Sequence, residues 1–137
     1  MGCSLATSLV EVIKRFKRIH DPKLLFIEPS EMVVTQELRN VAAMGRRDAY
    51  YQIGPLITLV DASRFDFMWA ERQQLIQGQI NGADIVALSH TDGLEDSPPE
   101  KISKVLQPYC NGIDLLSVQD TVSTEKMIKN VFEFKAL

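Results

Sequence analysis

Short apolar runs alternate along this chain with longer segments in which apolar residues recur at helical spacing. Four runs are short enough for strands, at residues 24–27, 56–60, 85–88 and 113–118. Each run is apolar throughout instead of alternating with polar residues, so we expect both of its faces to be covered. This pattern is typical of a parallel sheet with helices on either side.

Five helices are predicted around these runs, over residues 5–19, over 34–42 with Gly45 as a C-cap, over 63–80, from Ser97, and from about Ser123. The resulting order, α-β-α-β-α-β-α-β-α, predicts right-handed crossovers. The fold class is therefore α/β, with three layers, a mostly parallel sheet of about four strands, and helices on both faces. Phe65, Phe67 and Trp69 lie at helical spacing, which favours core or partner packing over a cofactor site.

The composition is that of an ordinary globular protein. The 137 residues predict a single domain, and a net charge of −3 with a pI near 5.4 gives no cationic surface for nucleic acid or an anionic membrane. The basic run at residues 14–18 alternates with apolar residues and is interpreted as a solvated helix face. No apolar stretch is long enough to span a membrane, and no signal peptide is recognisable.

The two cysteines, Cys3 and Cys110, lie far apart and in no metal-binding or redox spacing. This usage favours a reducing cytoplasm over a disulfide scaffold. Zinc requires about four ligands, and Cys3 has no second thiolate or histidine at a suitable spacing, so no metal site is expected. Cys110 is interpreted as a buried thiol.

Phosphate-binding motifs are missing from the printed sequence. The chain contains seven glycines, but neither Gly-x-x-x-x-Gly-Lys-Ser/Thr nor Gly-x-Gly-x-x-Gly occurs among them. The chain also begins with a predicted helix, whereas a three-layer nucleotide-binding fold begins with the strand that leads into the phosphate loop. No Gly-x-Ser-x-Gly nucleophile motif occurs either, so hydrolase chemistry of that type has no support.

Three sequence blocks resemble the CobW family of P-loop GTPases, the metallochaperone and cobalamin-synthesis relatives of the hydrogenase and urease maturation GTPases. Residues 24–31 (LLFIEPSE) are similar to a family strand that ends in Glu-Thr/Pro-Ser-Gly. Residues 58–65 (TLVDASRF) are similar to its Thr-Val-Val-Asp-Ala block. Residues 79–92 are similar to Gln-Ile-x-x-Ala-Asp, a strand and Asn-Lys-Thr-Asp. The resemblance covers roughly residues 2–118.

The resemblance implies a partial P-loop GTPase fold in which residues 1–137 form a single CobW-like domain, incomplete at its N-terminus. The implied function is metal or cobalamin cofactor delivery. GTP and magnesium are implied as cofactors only if the missing segment is supplied, so we expect this chain alone neither to bind nor to hydrolyse GTP. The family's Gly-Cys-x-Cys-Cys-Thr metal motif would align with residues 2–7, where Cys3 is the one remaining cysteine.

Glu28 is the catalytic candidate that the resemblance implies. It would lie near the γ-phosphate and magnesium, where a carboxylate can hold a metal-bound water. Glu31 replaces the glycine that would approach the γ-phosphate, and its charge would repel phosphate. Alternatively, Glu31 lies in the first turn of a helix, where the dipole favours negative charge.

The loop Ser89-His90-Thr91-Asp92 occupies the position of the family's guanine-reading Asn-Lys-x-Asp. Asp92 can accept hydrogen bonds from the N1–H and the exocyclic amine of guanine, but Ser89 and His90 replace the asparagine and the lysine. His90 either stacks on a base or is simply solvated. Ser89, His90 and Asp92 are thus the candidate nucleotide-binding residues, whereas Asp61 is expected to cap the helix that begins near Ser63.

Two alternatives remain open. Removal of central strands would expose backbone edges and apolar surface, so the chain could be a non-enzymatic interaction module that self-associates or docks on a protein partner. The other alternative is an unrelated flavodoxin-like α/β domain, for which an ordered phosphate or flavin at the loop after the first strand would be expected.

Overall fold

A computed structural model of the chain describes residues 3–91, 98–110, 115–117 and 121–133. The helices are α1 (Cys3–His20), α2 (Thr35–Ala49), α3 (Phe65–Asn81), α4 (Pro98–Leu106) and α5 (Thr121–Glu133). The strands are β1 (Ile57–Asp61), β2 (Ile85–Ser89) and β3 (Leu115–Ser117). Single 3₁₀ turns at Ala62–Arg64 and Gln107–Tyr109 precede α3 and follow α4.

The three strands form a parallel sheet in the order β1-β2-β3. Ile57 lies opposite Ile85, and Val86 lies opposite Leu115. β2 is the central strand, and four of its five residues are buried. Burial on both faces explains why its sequence is a continuous apolar run. The prediction of an α/β fold with a parallel sheet is confirmed.

Helices cover both faces of the sheet. On one face, α3 and α4 form the main core with alternate strand residues. The buried members of this core are Val60, Ala62, Phe65, Ile76, Ile80, Ala83, Val86, Leu88, Ile102, Leu106 and Cys110. On the other face, Met127 and Val131 of α5 pack against Ile85, Ala87 and Leu116. The alternation along β2 therefore divides its side chains between the two layers.

Two smaller predictions about the main core are confirmed. Trp69 packs between Phe65 and Tyr109, with ring centroids 5.5 Å and 5.7 Å away, so it serves packing. The Cys110 thiol is 3% exposed, and burial raises its pKa. Phe67, by contrast, is 63% exposed and lies outside the core.

The helix α3 is interrupted at Arg72, where φ is −138° and ψ is 33°. The Nη1 atom of Arg72 lies 3.2 Å from the sulfur of Met32 and 4.0 Å from a carboxylate oxygen of Glu31. The side chain at the kink therefore contacts the segment that precedes α2.

No helix within the described ranges is both long and apolar enough to cross a bilayer.

The helix α1 packs against α2, and α2 packs on α3. The prediction that Gly45 is a C-cap was wrong, because α2 continues to Ala49 and Tyr50 adopts the left-handed cap conformation with φ of 50°. Gly45 instead permits close packing. A Cβ atom there would lie 2.7 Å from the Tyr51 hydroxyl and 3.1 Å from Val10.

The predicted strand at residues 24–27 was wrong. These residues belong to no strand, and Leu24, Leu25, Phe26 and Ile27 are 49%, 36%, 72% and 39% exposed. A strand needs a neighbour for its backbone hydrogen bonds, and no described strand lies beyond β1 on that side of the sheet. The described sheet therefore has three strands, not about four. The predicted run 113–118 contains β3, although residues 113, 114 and 118 lie outside the described residues.

Candidate functional site

The carboxyl ends of β1 and β2 lie side by side, with Asp61 paired in register to Ser89. In an open parallel sheet, ligands bind at this edge. β1 leads into the turn Ala62–Arg64, and β2 leads into His90 and Thr91. This edge is the candidate site, and its polar groups come from the two blocks that the sequence singled out.

Asp61 caps the turn that precedes α3, as the sequence predicted. Its Oδ1 atom accepts hydrogen bonds from the Ser63 hydroxyl at 2.6 Å and from the Ser63 N–H at 3.0 Å. The Ser63 hydroxyl, with further help from nearby His90 and the backbone N–H groups, holds the pKa of Asp61 below its ordinary value. The carboxylate therefore remains charged and fixed at neutral pH.

His90 occupies an unusual backbone position beside this carboxylate. Its φ is 53°, in the left-handed region that few residues other than glycine and asparagine adopt. Its Nδ1 lies 3.2 Å from the Ser89 hydroxyl oxygen and 3.8 Å from Asp61 Oδ1, and its side chain is 71% exposed. The ring is thus tethered at one nitrogen while most of its surface faces solvent. Its predicted contact with a nucleotide base stays a prediction.

Thr91 is the site residue that the sequence did not single out. It is 4% exposed, and its hydroxyl oxygen has no hydrogen-bond partner among the described residues. A buried, unpaired hydroxyl costs free energy, so such groups are uncommon away from functional loops. Nothing in the sequence indicated that Thr91 is buried, because threonine within a polar loop is ordinarily exposed. Asp92, the predicted guanine acceptor, lies outside the described residues.

Glu28 and Glu31 lie in the segment between α1 and α2, and both are exposed. Glu31 lies in a turn four residues before α2 begins at Thr35, so its interpretation as a first-turn residue was wrong; Glu37 holds that position. The Glu31 carbonyl oxygen accepts a 2.6 Å hydrogen bond from Gln79 on α3. The structure does not bring Glu28 into contact with Asp61 or His90, and its catalytic role stays a prediction.

A second polar cluster lies at the amino end of the strands, away from the candidate site. Asp84 Oδ2 accepts hydrogen bonds from Arg39 at 2.6 Å and from the Leu56 N–H at 2.7 Å. The Asp84 N–H in turn donates to the Leu56 carbonyl oxygen at 2.8 Å. This cluster joins α2 to the starts of β1 and β2 and has a structural role.

A cavity of about 930 Å³ lies beside β1. Its walls come from all five residues of β1, from residues 24–27, and from α1, α2 and α3. The apolar wall residues on the helices include Leu9, Ile13, Leu38, Phe65, Leu75 and Ile76. Asp61 and Arg64 line the cavity near the candidate site, whereas Ser89 and His90 do not.

Metal-binding groups are sparse in the part of the chain that the structure describes. No group of three or more His, Cys, Asp or Glu side chains there lies close enough together to hold a metal ion. At the candidate site, Asp61 and His90 supply two such groups, with Asp61 Oδ1 3.8 Å from His90 Nδ1.

A parallel sheet with helices on both faces and a polar loop after its central strand is the architecture of nucleotide-binding α/β domains. The model of the family described as CobW/HypB/UreG, nucleotide-binding domain matches residues 1–117, and the chain belongs to this family. The resemblance seen in the sequence blocks is therefore confirmed. Neither a search of curated proteins nor a search of solved structures found a match.

Proposed function

We propose that this chain supplies the base-side portion of a CobW-type GTPase domain and does not bind or hydrolyse GTP by itself. The carrying observation is the combination of the nucleotide-binding domain match with a sequence that contains no phosphate-loop motif. Phosphoryl transfer depends on positioning and charge neutralisation of the phosphates, which the phosphate loop and magnesium supply. A loop that contacts the base cannot replace them.

The geometry of the candidate site supports this proposal. Asp61 is committed to capping the turn before α3, and His90 is tethered to Ser89. The His90 side chain is 71% exposed, and its solvent-facing ring suits weak stacking on a planar base. Glu28 lies in the segment between α1 and α2 and makes no described contact with them.

Within the cell, the proposed role is nucleotide-gated delivery of a metal or a cobalamin-type cofactor in the cytoplasm. That role requires a phosphate loop, which is not among the motifs of this sequence, to be supplied to the site. GTP and magnesium would then bind the assembled site, not this chain alone. The family match supports the nucleotide-binding part of this proposal, and the delivery role rests on the family resemblance.

Isothermal titration of the chain with GTP and magnesium tests the proposal. We expect no binding heat at micromolar concentrations, and the same result with ATP. Micromolar binding of GTP would overturn the claim of incompetence. If such binding occurred and Asp92→Ala removed it, the loop would nevertheless be the base-binding element. Retention of binding in Asp92→Ala would overturn the assignment of the loop as well.

A second candidate function, a protein-interaction module, is favoured by the apolar surface beside β1. Phe26 is 72% exposed and Leu59 of β1 is 62% exposed. Contiguous exposed apolar surface of this kind marks interaction sites. Size-exclusion chromatography with light scattering tests self-association: a concentration-dependent dimer supports a homo-oligomer, and a monomer at all concentrations contradicts it.

A further inference from the structure

Two sides of α1 are occupied within the chain. Toward α2, Val10 packs at Gly45, and the Lys14 ammonium lies 2.7 Å from a carboxylate oxygen of Asp48. Toward the cavity beside β1, residues 9 and 13 form part of the wall. Because a helix has about 3.6 residues per turn, these positions leave a third side, which carries residues 12, 16 and 19.

The third side of α1 is apolar, basic and uncovered. Val12, Phe16 and Ile19 are 59%, 40% and 58% exposed, and none of them lines the cavity. Arg15 and Arg18 lie beside this apolar stripe and are also exposed. We call these five residues the basic face.

The two arginines of the basic face have no carboxylate partner among the described residues. The two lysines of α1 differ in this respect, since Lys14 contacts Glu11 and Asp48, and Lys17 contacts Asp21. An exposed apolar stripe bordered by unpaired positive charge is complementary to a surface that is apolar and negatively charged.

The spacing of the stripe indicates a helical partner. Val12, Phe16 and Ile19 stand at i, i+4 and i+7, which is the spacing by which one helix packs along another. The stripe is about 10 Å long, or two turns of a partner helix. The backbone groups in the middle of α1 are bonded within the helix, so an extended segment would gain no main-chain pairing there.

A protein surface fits the basic face better than an anionic bilayer does. The chain carries a net charge of −3, and the exposed Glu11 stands one helical turn before Arg15. An extended anionic surface would repel both the chain as a whole and this carboxylate. A small acidic partner meets mainly the charge nearby, because salt screens charges farther than about 8 Å away.

The described part of the chain does not itself offer the complementary surface. Its other exposed apolar helix face is on α5, where Ile128 and Phe132 are 46% and 68% exposed. That helix has two exposed glutamates and two exposed lysines, whose charges cancel. A second copy is therefore not favoured as the occupant of the basic face.

We propose that the basic face of α1 is the docking site for an acidic amphipathic helix of a separate protein. The partner helix packs its apolar side on the stripe and places its carboxylates beside Arg15 and Arg18. The apolar contacts supply affinity, and the charges select the partner. This proposal goes beyond the proposed function, because the docking site lies on a different helix from the candidate site and requires no nucleotide.

Fluorescence anisotropy of a dye-labelled synthetic peptide, titrated with the full chain, tests the proposal. The acidic probe is three repeats of Glu-Leu-Ala-Ala-Leu-Glu-Ala, in which the leucines form one helical stripe with glutamates on both flanks. The basic probe has lysine in place of every glutamate. We expect the acidic probe to bind with a Kd of about 100 μM and the basic probe to bind at least about tenfold more weakly. Equal binding of the two probes, or no binding of the acidic probe, would overturn the proposal.

Matched variants locate the binding surface. Arg15→Glu should weaken binding of the acidic probe at least about fivefold, whereas Arg47→Glu, the same charge change at an exposed position of α2, should weaken it less than about twofold. Val12→Asp should weaken it at least about tenfold, and Val122→Asp, at a 76% exposed position of α5, less than about twofold. Equal weakening within either pair would contradict the assignment. The comparison of the two probes uses the unaltered chain and does not depend on the folding of a variant.

Two measurements test the other possible occupants. Sedimentation with phosphatidylserine and phosphatidylcholine vesicles should show no binding; binding that Arg15→Glu removes would assign the basic face to a bilayer and overturn the proposal. In light scattering, Arg15→Glu should leave the oligomeric state unchanged. A dimer that this variant converts to a monomer would assign the face to a second copy and also overturn it. None of these measurements uses GTP, so their outcome and that of the GTP titration are independent.

Discussion

Two regions of the molecule differ in how well their apolar side chains are covered. The sheet region consists of β1 to β3 with α3 and α4, and its Leu88 and Leu106 are 2% and 0% exposed. The open region consists of α1 with residues 21–34, and its Leu24 and Phe26 are 49% and 72% exposed. Both regions contain continuous apolar runs. An apolar run in the sequence therefore shows that burial would be favourable, whereas the neighbouring elements decide whether the run is buried.

The largest expected effect contrasts the same substitution in the two regions. Leu88→Ala leaves a cavity in the main core and should lower the free energy of unfolding by about 2–5 kcal/mol. Leu24→Ala removes a half-exposed side chain and should cost less than about 1 kcal/mol. Urea denaturation followed by circular dichroism measures both values. Similar costs for the two variants would mean that residues 24–27 are buried in solution.

Gly82 tests the contact between the sheet region and α2, the helix that follows the open region. A Cβ atom at this position would lie 2.6 Å from the backbone nitrogen of Gln36 at the start of α2, so Gly82→Ala should cost about 1–3 kcal/mol. At Gly54, a Cβ atom would meet nothing within 4 Å, and Gly54→Ala should be neutral or slightly stabilising. Thermal unfolding of both variants compares them. A neutral Gly82→Ala would show that α2 does not pack tightly on the loop before β2.

The cap at Asp61 should make the sheet region sensitive to acid. Since its folded pKa lies below the ordinary value of 3.8, its charge stabilises the fold at neutral pH, and this contribution is lost as pH falls through the folded pKa. Asp61→Ala should cost about 0.5–2 kcal/mol at pH 7. Asp61→Asn keeps a capping side chain but not the charge. The difference between wild type and Asp61→Asn, measured by urea denaturation, should therefore shrink below pH of about 4; a constant difference would contradict the assignment.

The smallest effect is expected from an exposed contact inside the sheet region. The Lys101 ammonium lies 2.9 Å and 3.1 Å from the two Asp66 carboxylate oxygens, but the side chains are 65% and 76% exposed. Solvent screens such pairs, so Lys101→Met should change the free energy of unfolding by less than about 0.5 kcal/mol. A cost near that of Leu88→Ala would show that region, and not exposure, sets the energetic scale.

Sequence periodicity predicted the sheet region well, because its runs and helices cover one another. The pattern around β2 predicted a strand buried on both faces, and four of its residues are buried. The Asp61 cap was predictable since Asp followed two residues later by Ser is a local signal. These features depend on short-range chemistry or on neighbours that are present in the chain.

The errors arose where a long-range neighbour decides the structure. Residues 24–27 have strand composition but no strand partner. Gly45 follows the last apolar position of the helical pattern, so it looked like a helix end. Its role is close packing against Tyr51, which local periodicity cannot reveal. The Arg39–Asp84 contact joins residues 45 positions apart, and the burial of Thr91 depends on the surrounding fold. None of these contacts can be predicted from the residues within one helical turn of each position.

The interruption of α3 at Arg72 gives the two halves of the helix different contacts outside the sheet. In the first half, Phe65 and Trp69 stack near Tyr109. In the second half, Ile76 and Ile80 are buried in the main core while the Gln79 amide donates to the carbonyl oxygens of Glu31 and Val33. The same helix therefore closes the core and ties the backbone before α2 to the sheet region.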